Sequence, residues 1–426
     1  MSAEKVGLLG VEWYSPRTYV GQAALERADG CEGKYVTGLG QSAMAFCDDR
    51  EDVASVLLTA AKRLFEKYDL DPKDIGRFEV GTETLTDKSK SVKTTLLSEL
   101  GFGDSNDVEG VTSVNACYGG TAAILNSVAW VESRAWDGRL AVVVCGDIAV
   151  YEVGPARPSG GCGAFACVIG PDAPLVLEKH RATCALDVWD FYKPYHSEYA
   201  AVDGKLSQAC YLRSVDSCWR RLAEKSECSV EDFKYCCFHA PYNKLVVKGF
   251  SRLFRSDVDD TLSSYEASLA DKAYDAALRK ASKDAYHEKV APSTTIPTRT
   301  GNAYTASVYL GLVSLLTAGT RFEEGDKILL FSYGSGSMAT MFSFKVEGPL
   351  DALLSPVKER LADRVECSVD DFSAALALRE ARYGTSSYEP SSSDVPLAPG
   401  TFFLAAVDAK HRRTYARTPP SSSSSL

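Results

Sequence analysis

An α/β fold on mostly parallel or mixed sheets is what the sequence predicts, and three observations carry it. Leu140 to Cys145 (Leu-Ala-Val-Val-Val-Cys) is a continuous β-branched run, the pattern of a strand covered on both faces. Asp52 to Tyr68 sets Val53, Val56, Leu57, Ala60, Ala61, Leu64 and Phe65 on one helical face, with Lys62, Arg63, Glu66 and Lys67 mostly on the other. Short apolar runs alternate with helical segments along the chain, as in sheets whose strands are joined through helices.

In chain order, Phe78-Glu79-Val80 is a short strand closing at Gly81, and Thr121 to Ser133 reads as a buried helix. Ser207 to Lys225 is helical again, and Tyr235-Cys236-Cys237-Phe238 is a second short buried strand. Ala303 to Gly319 is the most apolar long stretch. It carries Tyr304, Thr305, Ser307, Tyr309, Ser314 and Thr317 and is short for a membrane span, so a buried helix is expected. Ile328 to Phe331 is a third strand, ending at Tyr333-Gly334. Residues 383–400, rich in Ser, Pro and Gly, read as a loop. Phe402 to Val407 reads as a last strand, and the Pro- and Ser-rich tail over 419–426 as disordered.

The chain has 426 residues, of which 45% are apolar and 24% charged, enough for a full core. At about 150 residues per domain it holds two to three units. Asp and Glu outnumber Lys and Arg, 57 to 47, for a net charge of −10, which argues against a general nucleic-acid binder. A local basic patch would still suffice for a phosphorylated small molecule. The 13 cysteines are scattered and odd in number, as in reduced thiols rather than a disulfide framework. With no secretory or transit-like segment at the start of this sequence, a cytoplasmic protein is expected, without membrane attachment. No metal site is expected, because no pair of Cys-x-x-Cys elements is present.

Four loops, each following an expected strand, carry chemistry-bearing residues. Val111 to Gly120 places Cys117 just before a helix start, where backbone N–H groups favour negative charge and should lower the thiol pKa. The bland alternative is an inert packed cysteine. Gly81-Thr82-Glu83-Thr84 offers Glu83 as a general base, or as a solvated loop residue. Phe238 to Lys244 holds His239, one of five histidines, which can donate to a carbonyl or sit as a satisfied core residue. Lys244 and Lys248, four apart, share a helical face that is either a phosphate anchor or ordinary surface. Tyr333-Gly334-Ser335-Gly336-Ser337 can aim backbone N–H groups at an oxyanion, or be a simple turn. Ligands in α/β folds bind beyond the carboxyl ends of strands, so the four loops can converge.

Several long segments resemble eukaryotic hydroxymethylglutaryl-CoA synthases. They include Glu79 to Thr84, Asn115 to Ala123, Gly146 to Tyr151, Ala156 to Gly161, Asp190 to Pro194, Val202 to Ser207, Phe331 to Gly336 and Lys410 to Arg417. The match runs in order over nearly the whole chain. The resemblance implies a thiolase-like layered αβαβα fold of two similar halves with mixed sheets, usually a homodimer. The halves would span 1–170, with the Glu and Cys loops, and 171–418, with the His and Gly-Ser loops. It implies condensation of acetyl-CoA with acetoacetyl-CoA and water to 3-hydroxy-3-methylglutaryl-CoA and CoA, the CoA thioesters being substrates and no cofactor being needed. By matching position, Cys117 is the acetyl-carrying nucleophile, Glu83 the general acid/base, and His239 the residue that polarises the acetoacetyl ketone. Tyr118, Asp147, Tyr151, Ser159, Asp190, Phe191, Ser207, Asn302 and Ser335 match residues of the acyl and substrate site. Lys244 and Lys248 match residues that approach CoA. The backbone N–H groups of Cys117 and Ser335 would form the oxyanion hole.

The sequence departs from the family pattern at Val114, Ser159 and Asn243, and in a short segment around Tyr195-His196, none of which removes a catalytic group. Two rivals stand beside this reading. A ketoacyl synthase would use Cys with two His, or His and Asn; a non-enzymatic CoA-binding protein would not need Glu83, Cys117 and His239 together.

Overall fold

The computed structural model describes residues 4–194, 196–255, 267, 271–391 and 394–420. Residues 421–426 of the expected tail, and Tyr195, lie outside the described residues.

The frame is a nine-stranded mixed sheet. Its strands are β1 (Gly7–Tyr14), β2 (Ile75–Gly81), β3 (Thr112–Ser113), β4 (Leu140–Ala149), β5 (Gly161–Gly170), β6 (Leu175–Ala185), β7 (Tyr235–Phe238), β8 (Lys327–Gly334) and β9 (Met338–Val346). The spatial order is β7-β8-β9-β6-β1-β5-β4-β2-β3. The two sides repeat one topology. In the first, β2 runs parallel to β4, which is antiparallel to β5, which is antiparallel to β1. In the second, β7 runs parallel to β8, which is antiparallel to β9, which is antiparallel to β6. The two half-sheets join edge to edge where Gly7 and Leu8 pair with Val176 and Leu175. Gly7 makes that approach possible, since a Cβ there would lie 2.1 Å from the Leu175 carbonyl oxygen.

Alternation along the strands builds the layers. In β4, Val142 and Val144 enter one core while Val143 and Cys145 enter another; in β8, Ile328 and Leu330 share that second core while Leu329 and Phe331 enter a third. The outer layer on the first side is α1 (Val53–Lys67), opened by a reciprocal Asp52–Ser55 capping box. The shared middle layer is α2 (Gly119–Val131) with α3 (Gly204–Ser226) lying elsewhere, on the outer face of the second side, next to α4 (Asn243–Arg252). The partner of α2 in the middle is α5 (Ser307–Thr317), buried almost throughout. The result is αβαβα, the expected architecture.

The strand content divides near residue 170, but the packing does not. Phe372, Leu376, Phe402, Leu404 and Tyr415 return to the core of the first side, against α1. Val365–Cys367 also pairs in parallel with Thr18–Val20.

Candidate functional site

The loops after β2, before α2, before α5 and after β8 are pressed together through glycines. A Cβ on Gly81 would lie 2.4 Å from the Gly120 amide nitrogen, and one on Gly120 would lie 2.5 Å from the Thr305 carbonyl oxygen. A Cβ on Gly334, at the end of β8, would overlap the Ala116 carbonyl oxygen at 1.6 Å. The Cys117 loop is therefore clamped between the Glu83 loop and the Tyr333–Ser337 loop.

Both middle helices are entered through a residue in left-handed backbone conformation. Cys117 has φ +51° and Tyr304 has φ +43°. Such strain in non-glycine residues persists where surrounding contacts fix it, commonly at functional sites. Cys117 Sγ lies 3.9 Å from Glu83 Oε1. Cys117, Tyr151, Phe191 and Tyr304 form one apolar cluster, with the three rings meeting edge-on at 5.8 to 6.5 Å.

Burial raises the Glu83 carboxyl to about 8, helped by Asp147 and opposed by Lys193. The Cys117 thiol is pushed well above its usual value, first by burial, then by the negative charges of Glu83, Asp147 and Asp190. This corrects the expectation of a lowered thiol pKa. The partial charge at a helix start, about half an elementary charge, is outweighed by desolvation and three carboxylates. Burial alone lowers His239 to about 3, so its imidazole is neutral at pH 7.

Asp147 is fully buried and faces the protein rather than the cleft. Its Oδ1 accepts from the Glu83 and Thr84 amides at 2.8 and 2.9 Å and from the Thr82 and Thr84 hydroxyls, each at 2.8 Å. Its Oδ2 accepts from the Thr305 amide at 3.0 Å, with the Thr305 hydroxyl at 2.6 Å. These donors satisfy the buried carboxylate, which thereby fixes the Glu83 loop against the start of α5.

On the second side, Asp190 is also fully buried, accepting from the Tyr333 hydroxyl at 3.2 Å and the Gly336 amide at 2.9 Å. The His239 ring lies 6.4 Å from the Tyr333 ring, so one tyrosine links the His loop to the Asp190 segment. Ser335 lies inside the loop that Asp190 holds.

The Tyr118 hydroxyl turns away into the sheet, bonded to Thr340 at 2.7 Å. Asn302 is buried and accepts from the Tyr304 amide at 2.9 Å, setting the turn before α5. The Ser159 hydroxyl donates to the Ala156 carbonyl at 2.7 Å. Ser207 lies in the first turn of α3, and Lys244 and Lys248 on α4, half-buried and without an ion pair among the described residues. Sequence reasoning passed over Thr82, Thr84 and Thr305 as donors to Asp147. It also gave no role to Lys193, whose Nζ sits 5.0 Å over the Tyr304 ring. Among the described residues, no group of three or more His, Cys, Asp or Glu side chains is placed to hold a metal ion. All thirteen cysteines are free thiols.

The duplicated half-sheet, the two buried middle helices and the cysteine at the head of one of them define a thiolase-type fold. Family models for the N-terminal and C-terminal parts of hydroxymethylglutaryl-coenzyme A synthase match residues 2–174 and 175–418. Hydroxymethylglutaryl-CoA synthase A of Dictyostelium discoideum is 46% identical over 97% of this chain and 91% of its own length. The cytoplasmic hydroxymethylglutaryl-CoA synthase of Homo sapiens is 42% identical over 97% of this chain and 87% of its own. A solved structure of MvaS in complex with 3-hydroxy-3-methylglutaryl coenzyme A superposes with a TM-score of 0.77, at 32% identity, over 97% and 99% of the two chains. The chain belongs to the hydroxymethylglutaryl-CoA synthase family, whose reaction is the condensation of two acyl-CoA thioesters. Among the described residues, no helix is long and apolar enough to cross a membrane.

Proposed function

We propose that this chain condenses acetyl-CoA with acetoacetyl-CoA and water to 3-hydroxy-3-methylglutaryl-CoA and CoA, through an acetyl thioester on Cys117. The observation that carries the reading is the 3.9 Å approach of the Cys117 thiol to the half-buried Glu83 carboxyl, whose pKa is about 8. A carboxyl poised there exchanges protons readily near neutral pH.

In the first step the Cys117 sulfur attacks the acetyl carbonyl, the thiol proton passes through Glu83, and CoA leaves as its thiol. In the second, the Glu83 carboxylate takes a proton from the acetyl methyl, and the resulting enolate attacks the acetoacetyl ketone. Neutral His239 donates a hydrogen bond to that ketone as its oxygen gains charge; an imidazole with its pKa near 3 donates without first needing to lose a proton. In the third, water attacks the Cys117 thioester, releasing product and restoring the thiol.

The amides of Cys117 and Ser335 are assigned as the oxyanion hole, on adjacent clamped loops. Tyr151, Phe191 and Tyr304 wall the acyl pocket and exclude water, which protects the enolate. Asp147 and Asp190 act on substrate through the loops they hold. Lys244 and Lys248 are assigned to the CoA phosphates.

No cofactor is required by these steps. A homodimer is supported by the sheet edge at β3, where Val111 and Val114 are 54% and 57% exposed. A cytoplasmic setting is supported by thirteen free thiols. A ketoacyl synthase reading is disfavoured, because Glu83 stands against the thiol where that chemistry would need a second histidine or an asparagine. Glu83→Ala tests the assignment: it should still accept acetyl from acetyl-CoA, yet release no product with acetoacetyl-CoA. Normal product formation would overturn the role of Glu83.

A further inference from the structure

Away from the Glu83–Cys117–His239 site, a cleft of about 240 Å³ opens between the end of β1, α1 and the segment 359–364. Arg17, Arg63, Arg360 and Arg364 line it over a floor of Trp13 and Tyr14. Two of the four guanidiniums are already neutralised: Arg17 pairs with Asp363 at 3.3 Å and Arg360 with Glu12 at 2.6 Å. The other two have no carboxylate partner among the described residues. Arg63 reaches only the Trp13 carbonyl, at 3.4 Å, and lies 5.0 Å over the Tyr14 ring. Arg364 donates to the Arg299 carbonyl at 2.9 Å and lies 4.6 Å over the Tyr19 ring. Exposed Glu359 also lines the cleft. Set against Glu12, Asp363 and Glu359, the four arginines leave one net positive charge.

Holding two guanidiniums in a recess without direct ion-pair partners is unfavourable, and burial lowers both Arg63 and Arg364 to about 10. An anion that enters the recess removes that penalty. Planar guanidinium forks match the oxygens of tetrahedral phosphate in paired hydrogen bonds. The recess is smaller than a drug-sized site of about 300 Å³ or more, which suits a compact ligand.

We propose that this cleft is a second ligand site, which binds a small phosphate-bearing anion (a phosphate monoester or free phosphate) between Arg63 and Arg364. None of its lining residues belongs to the acyl site, so it is separate from the site assigned to the CoA phosphates.

Inorganic phosphate is the probe, titrated into the full chain by calorimetry in phosphate-free buffer. Saturable binding is expected, weakened about tenfold or more in Arg63→Gln and in Arg364→Gln, since each loses charge-assisted hydrogen bonds. Binding should be unchanged in the Lys244→Ala/Lys248→Ala double variant. Should Arg63→Gln fail to fold, Arg364→Gln alone carries the comparison, its fold checked by near-ultraviolet circular dichroism. The proposal is overturned by absence of saturable heat, by full binding in the arginine variants, or by loss of binding in the lysine variant. Succinate binding more tightly than phosphate would overturn the ligand class.

Discussion

Replacing Glu83 by Gln should make the protein more stable at high pH while removing its condensing activity. In the folded chain the Glu83 carboxyl titrates at about 8, against 4.5 for the ordinary group. Between those values the unfolded chain has lost its proton and the folded chain has not. Wild-type stability therefore contains a contribution fully present below pH 4.5 and lost as pH rises through 8. At about 1.36 kcal/mol for each tenfold change in acidity, the gap between 4.5 and about 8 sets a ceiling of about 5 kcal/mol. Glu83 is half-buried rather than sealed, and water reaching it reduces the penalty, so about 2 to 5 kcal/mol is expected. Gln keeps the shape and cannot ionise. Urea unfolding of both proteins at pH 5 and pH 9 reads the effect directly, provided unfolding is reversible. Part of the effect is already present at pH 5, so relative to wild type Glu83→Gln should gain about 2 to 4 kcal/mol more at pH 9 than at pH 5. An equal difference at both pH values would refute the claim that burial holds this carboxyl protonated.

Asp147→Asn should destabilise the chain by about 3 kcal/mol or more, because one amide cannot accept from all the donors that converge on the carboxylate; urea unfolding with an activity assay checks both losses. With His239 near 3, kcat should show no inflection between pH 5.5 and 7 that disappears in His239→Gln; a pH–rate series on the two proteins decides this. Gly334→Ala should abolish activity or folding, since its methyl would overlap the Ala116 carbonyl behind the Cys117 loop; circular dichroism and turnover read the two outcomes.

The parts legible in the sequence are those whose signal is local. The run Leu140–Cys145 announces β4 because that strand is buried on both faces. Strand β5 is just as buried, but its Gly-Cys-Gly-Ala start carries no β-branched signal. Small residues are needed there: a Cβ on Gly163 would lie 3.0 Å from Leu310 of the middle helix. Only tertiary packing reveals that need. Glu83, Cys117 and His239 were readable as loop residues after strands, and the family resemblance singled them out. The work of Asp147 was not readable, because its donors Thr82, Thr84 and Thr305 come from two segments more than 200 residues apart. The thiol pKa shift has the opposite sign to the local expectation because the helix start is local, whereas the burial and the carboxylates that oppose it arise from three other segments of the chain.

In the proposed reaction everything after the first step depends on Cys117 carrying the acetyl group. Mass spectrometry of peptides after brief exposure of the protein to acetyl-CoA alone tests it most directly. A single acetyl group on the peptide bearing Cys117, absent in Cys117→Ser, is the predicted result. Acetylation at another of the thirteen cysteines, with Cys117 unmodified, would contradict its role as the nucleophile.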